Sequence, residues 1–252
     1  MVNKEFLGRF LPKKTLFRIS YGTMSHSDKG TLQVCDMKWS LENLKRNGFV
    51  PKLIIDIGAY VGHWTEMAKS VFPNSYFLMI EAQPSKEASL KSVKAKFLTS
   101  VDYRISLLGA SRQQDTPFFE MESGSSVLAE QSNVPRKVLS LPMETLDDIL
   151  LEKKLKNASF LKLDVQGYEM EVLKGATETL KEVEVVMTEV SFLPYNRSGP
   201  LFNEVVQFMK DHEFVAYDIC SLMRFYLDGS LLQADVIFVR ENSPYRKSFF
   251  QY

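Results

Sequence analysis

The chain has 252 residues, 45% of them hydrophobic and 25% charged, which suits a globular protein with ample material for a full core. Lys+Arg and Asp+Glu both number 31, so the formal net charge is zero. That gives no electrostatic case for nucleic acid or an anionic membrane as the main partner, and the composition excludes collagen-like, low-complexity and wholly disordered chains. Cys35 and Cys220 are too few for a disulfide framework or a four-thiolate zinc site. There is no uninterrupted apolar run long enough to span a bilayer and no signal-like start, so a cytoplasmic protein without a membrane span is expected.

Residues 1–50 read as an N-terminal extension. From Lys4 to Arg18 basic and apolar side chains alternate around Pro12, as in an arm packed on the domain or on a second copy; a homodimer is therefore an expectation. Trp39, Leu41, Leu44 and Phe49 have helical spacing, with Gly48 as a C-cap. The main domain is expected over 51–240 and a tail over 241–252. Residues 52–57 form a short β-branched run, hence a buried strand, and residues 58–62 a turn. A helix follows to Phe72, then a strand over 75–80, a helix opened by Pro84, and a strand over 101–108. Residues 110–142 are less regular, with weak strands at 116–121 and 137–141. Then come a helix over 144–154, a strand over 160–164, a helix over 168–180 that Gly175 breaks, and a strand over 183–190. A helix over 200–212 precedes strands at 214–220 and 235–239, joined through Asp228-Gly229. Alternating strands and helices predict an α/β fold, a mostly parallel sheet covered on both faces, with an antiparallel hairpin at its edge.

In such sheets ligands sit beyond the carboxyl ends of the strands. There the sequence places Asp56-Ile57-Gly58-Ala59-Tyr60-Val61-Gly62, a glycine turn feeding a helix N-terminus. It lacks the third glycine of the dinucleotide fingerprint, and Asp56 would repel a pyrophosphate, which argues against a nicotinamide oxidoreductase. An acidic residue beside a helix N-terminus suits a zwitterionic amino acid. Glu81, ending the next strand, suits the two hydroxyls of a ribose. An amino acid and a ribose side by side describe S-adenosylmethionine.

Further blocks extend the pattern: Ile80-Glu81-Ala82-Gln83-Pro84, Leu107-Leu108-Gly109-Ala110, Glu144-Thr145-Leu146-Asp147-Asp148, and the run from Phe160 through Asp164, Gly167 and Glu169 to Gly175-Ala176. Together they resemble the FkbM family of class I S-adenosylmethionine-dependent methyltransferases over roughly residues 50–240. The resemblance implies a Rossmann-like seven-stranded sheet, S-adenosylmethionine as cofactor with S-adenosylhomocysteine as product, and methyl transfer, often to a hydroxyl. It implies that Asp56, Gly58, Ala59, Tyr60 and Gly62 cradle the methionine part, that Glu81 holds the ribose and Ala82 lies along the adenosine, and that Leu107 and Leu108 contact adenine. Gln166 stands where the family often has Glu and cannot serve as a base.

A hydroxyl acceptor needs its proton removed. Asp164, at the end of a strand beside the expected methyl group and counted also with the cofactor ligands, is the first candidate; Glu189 and Glu169 follow. Asp164 and Glu189 offer two oxygen ligands to a divalent metal but no third is evident, so none is expected. Ser125 and Ser126, with Tyr195 and Arg197, are candidates for the acceptor side. The expected activity is O-methylation of a sugar or secondary-metabolite hydroxyl, a small-molecule partner. N-methylation and a non-catalytic cofactor-binding scaffold are the alternatives.

Overall fold

The computed structural model describes residues 36–122, 124–128, 136–194, 196, 198–225 and 227–246. The basic N-terminal arm, Tyr195 and Arg197 lie outside the described residues. In chain order the elements are α1 (Met37–Arg46), β1 (Leu53–Ile57), α2 (His63–Val71), β2 (Tyr76–Glu81), α3 (Glu87–Phe97), β3 (Val101–Ile105), β4 (Leu107–Leu108), β5 (Gln113–Glu120) and β6 (Lys137–Glu144). There follow α4 (Leu146–Glu152), β7 (Ala158–Leu163), α5 (Glu169–Lys174), α6 (Thr177–Glu182), β8 (Val185–Ser191), α7 (Phe202–Asp211), β9 (Phe214–Arg224) and β10 (Leu231–Arg240).

Seven strands form one sheet in the order β3-β2-β1-β7-β8-β10-β9. β3, β2, β1, β7 and β8 run parallel, and β10 is antiparallel to both β8 and β9. β1 and β7 are buried at every position, which is why they read as unbroken apolar runs rather than alternating ones. One face packs under α4 to α7 through Ile55, Leu161, Val172 and Val205. The other packs under α1 to α3 through Ile54, Phe77, Phe160 and Met187. The strand order reverses between β1 and β7, so the crevice at their carboxyl ends is the natural ligand position. Among the described residues no helix is long and apolar enough to cross a membrane.

Three features depart from the sequence reading. The stretch 101–108 is two strands: Ser106 turns the chain, its hydroxyl donating to Glu144 (2.6 Å), and β4 leaves the main sheet. β4 pairs with β6 instead, completing a separate three-stranded sheet, β4-β6-β5. The two weak strands belong to this small sheet. Finally, Leu41, Leu44 and Phe49 are fully buried, and the Phe49 ring meets Phe160 and Tyr245 at 6.0 and 5.4 Å. Packing thus runs past both boundaries drawn at 50 and 240.

At the helix break, position 175 admits only glycine: a Cβ there would stand well under 3 Å from the carbonyl oxygen of Gly109. Asp147 holds the next helix, accepting from the N–H groups of Glu178 and Thr179, both at 2.9 Å, at the positive end of the α6 dipole.

Candidate functional site

A cleft of about 170 Å³ opens at the carboxyl ends of β1, β2 and β7. Its floor is the glycine turn. Gly58 has φ +74° and its N–H donates to Ile80 O (2.9 Å). A Cβ at Gly58 would collide with the backbone carbonyl of Asp164. Only glycine therefore lets the turn after β1 pass the turn after β7. Tyr60 also adopts a left-handed conformation, φ +52°, a strained choice for a bulky residue. The strain has a use: it aims the Tyr60 N–H at Glu81 Oε2, 2.7 Å away.

Glu81 is 5% exposed and lines the cleft. Its second oxygen, Oε1, accepts from the Gln83 N–H (2.9 Å). Burial pushes the carboxyl up, while the Gln83 and Tyr60 N–H bonds pull it down. Each oxygen still has lone-pair capacity, so the carboxylate can accept one hydroxyl on each, as a ribose requires. Leu107, Leu108, Phe118 and Val127 give the same cleft an apolar wall, suited to a flat base.

The predicted cofactor residues divide into two groups. Gly58, Tyr60, Glu81, Ala82, Leu107, Leu108 and Asp164 line the cleft; Asp56, Ala59 and Gly62 do not. Asp56 is fully buried beneath the turn. Its Oδ1 lies 3.0 Å from Lys162 Nζ and its Oδ2 accepts from the Thr65 hydroxyl (2.7 Å). It is thus committed to an internal ion pair rather than presented to a ligand ammonium. Lys162 also donates to Gly58 O (3.2 Å). Burial alone would lower the Lys162 ammonium, but the Asp56 and Asp164 carboxylates outweigh it and hold the group above its ordinary value. Ala59 is core, and Gly62 caps α2 where Val93 leaves no room for a side chain. These three residues shape the turn instead of touching the cleft.

Lys162 was missed from sequence, although a lysine inside the otherwise apolar β7 was the visible signal. Lys86 and Glu122 were missed as well. Tyr60 Oη donates to Glu122 Oε2 (2.6 Å), and Lys86 Nζ binds the same oxygen at 2.6 Å. Lys86 also sits 4.6 Å from the Tyr60 ring centroid. This cluster joins Glu122, which precedes the segment carrying Ser125 and Ser126, to the glycine turn and to Lys86. Both serines line the cleft, but their hydroxyls also serve local structure. Ser125 accepts from Met121 N (2.7 Å) and Ser126 donates to Gln166 O (2.9 Å).

Of the candidate bases, Asp164 lines the cleft and accepts from Gln166 Nε2 at 2.8 Å. Glu189 lies on β8 outside the cleft lining, tied to the same nitrogen (3.3 Å) and to Gln233 Nε2 (2.5 Å). Glu169 is held elsewhere. It is 3% exposed, absent from the cleft lining, and its Oε1 accepts from the N–H groups of Val165 (2.9 Å) and Gly167 (3.2 Å). It braces the loop after β7. Burial, with a smaller push from Asp164, raises its carboxyl to about 7. A carboxyl raised in the fold gives stability that is present at low pH and is lost as pH rises through the folded value. Stability is therefore expected to fall between pH 4.5 and 7, and Glu169→Gln, which keeps the acceptor oxygen, should flatten that slope in thermal melts. An unchanged slope would refute the assignment. Among the described residues no three His, Cys, Asp or Glu side chains gather to hold a metal ion.

Similar solved structures include a precorrin-6y C5,15-methyltransferase from Geobacter metallireducens (TM-score 0.46, 12% identity, 83% of this chain and 92% of that one). They also include TrmK of M. capricolum with S-adenosylhomocysteine (0.45, 9%, 80% and 68%) and an O-methyltransferase family protein from Burkholderia thailandensis (0.46, 9%, 81% and 55%). Among curated proteins none matches. The methyltransferase FkbM domain model, however, matches residues 56–216, which span the glycine turn, Glu81, the small sheet and the loop after β7. The chain belongs to the FkbM methyltransferase family and is an S-adenosylmethionine-dependent methyltransferase.

Proposed function

We propose that the chain methylates a hydroxyl of a small molecule, a sugar or secondary metabolite. The observation that carries this reading is the pair of carboxylates, Asp164 and Glu189, gathered on one amide at the ends of β7 and β8. An alcohol must lose a proton as it attacks, and carboxylates positioned beside it can accept that proton. When bound, S-adenosylmethionine supplies a methyl group already activated on a sulfonium. The chain's own task is then orientation and proton removal. Glu81 holds the ribose, Leu107 and Leu108 flank the base, and Asp164, which lines the cleft, takes the proton from the acceptor oxygen, with Glu189 behind it on the same amide.

Among the described residues, the groove next to the cleft favours a neutral acceptor. Arg104 and Arg112, the arginines of the groove next to the cleft, are engaged by Glu144 and Asp148 at 3.0 and 2.7 Å, and the net charge is zero. The test is transfer of labelled methyl from S-adenosylmethionine into panels of sugars, phenols, amines and RNA. Label in hydroxyl compounds supports the reading; label confined to amines or RNA overturns it. With such an acceptor, Asp164→Asn should lower kcat by roughly 10²–10⁴-fold and leave the S-adenosylhomocysteine Kd within about threefold of wild type. Unchanged turnover would remove Asp164 from the role of base.

A further inference from the structure

We propose that Glu122 is the latch of a flap over the cofactor cleft and sets the rate at which S-adenosylmethionine enters and S-adenosylhomocysteine leaves. The proposal rests on the cleft as the cofactor site and is independent of the acceptor. The cleft measures about 170 Å³, whereas small-molecule sites run to roughly 300–1,000 Å³. A ligand built of an amino acid, a ribose and a base therefore needs one wall to move.

The floor does not supply that movement. Gly58, Glu81 and Asp164 stand at the ends of paired parallel strands, and Glu81 and Lys162 hold the glycine turn by its backbone. The opposite wall carries Phe118, Ser125, Ser126 and Val127, from the end of β5 and the chain that follows it. That chain folds back on β5. Phe119 and Ser126 exchange N–H to carbonyl bonds at 2.9 and 3.2 Å. The Gly124 N–H donates to Met121 O (2.7 Å), and the Ser125 hydroxyl accepts from the Met121 N–H (2.7 Å) and donates to Glu122 O (2.9 Å). These bonds lie within the hairpin, so they persist when it swings as one body.

Glu122 belongs to this hairpin and fastens it to the cofactor side. Its Oε2 accepts from Tyr60 Oη and from Lys86 Nζ, both at 2.6 Å, and its carbonyl accepts from Gln83 Nε2 (3.0 Å). The glycine turn and the chain after Glu81 thus meet on one residue of the opposite wall. The Glu122 side chain is 75% exposed, and an exposed charge pair holds weakly. Such a fastening can break and re-form within a catalytic cycle, where flap opening and product release often set the rate. The other tie is buried: the Ser126 hydroxyl, on a residue 2% exposed, donates to Gln166 O (2.9 Å). The exposed Glu122 side is therefore the one that lifts.

Surface plasmon resonance of the full chain with S-adenosylhomocysteine reads both rates. A latch holds the flap shut whether the cleft is filled or empty, so its removal speeds both directions. Glu122→Ala should raise kon and koff each by about fivefold or more and leave Kd within about threefold of wild type. Tyr60→Phe keeps the ring and the N–H on Glu81 but loses the hydroxyl. It should move both rates the same way by a smaller factor. Added to Glu122→Ala it should change nothing further, because the partner of the hydroxyl is already gone. Unchanged rates in Glu122→Ala, or strictly additive effects of the two substitutions, overturn the proposal. So does a rise in koff alone with Kd weakened to match, which would make Glu122 a ligand contact instead of a latch. Absence of binding by the wild-type chain overturns it as well, by removing the cofactor from the cleft.

Discussion

Lys162→Met is expected to destabilise the fold by about 3–5 kcal/mol, because it leaves the Asp56 carboxylate buried without its cation. Asp56 is fully buried and Lys162 nearly so, at 3.0 Å. The loss is mostly the penalty of an orphaned charge, not the net worth of the pair. Replacing both members, Lys162→Met with Asp56→Leu, should therefore recover much of it, since an apolar pair of similar volume often does as well as a buried ion pair. A denaturant series on the three variants checks both statements. A single substitution within about 1 kcal/mol of wild type would mean that water or another cation reaches Asp56. Cofactor affinity should fall too, because Lys162 also holds the Gly58 carbonyl under the cleft.

The second large effect is at Gly58. Gly58→Ala asks for a left-handed φ of +74° and drives a methyl into the backbone carbonyl of Asp164. Neither atom is the end of a flexible side chain, so β1 and β7 must part at their carboxyl ends. Gly229 provides the control. It has φ +76° in the β9–β10 turn, and a Cβ there meets nothing within 4 Å. Gly229→Ala should cost about 1–2 kcal/mol for conformation alone. Gly58→Ala should cost that plus about 1–3 kcal/mol of overpacking and should weaken S-adenosylhomocysteine by about 100-fold or more. Equal costs at the two positions would contradict the close approach.

The strands were legible because the central ones are buried on both faces and so form apolar runs, and Gly175 was legible as a break because glycine interrupts a helical pattern. The hairpin was visible in Asp228-Gly229. The small sheet was not, because the separation of β4 from β3 depends on Ser106 meeting Glu144, a contact 38 residues away in sequence. At the site, Gly58, Glu81 and Asp164 could be placed from their strand ends alone. Asp56 could not: the sequence shows an acid at the end of β1, but whether it faces a ligand or the interior depends on Lys162, a residue on another strand. Glu169 failed for a similar reason, since its bonds to Val165 and Gly167 arise from a local turn rather than from spacing.

The central claim is that the cleft over Glu81 holds S-adenosylmethionine. Calorimetric titration of the full chain and of Glu81→Ala with S-adenosylmethionine and S-adenosylhomocysteine tests it most directly. Wild type should bind both in the micromolar range or tighter. Glu81→Ala, shown folded by circular dichroism, should lose roughly 100-fold, as expected when a charged acceptor of two hydroxyls is removed. No binding by the wild-type chain, or equal binding by the two, would contradict the account.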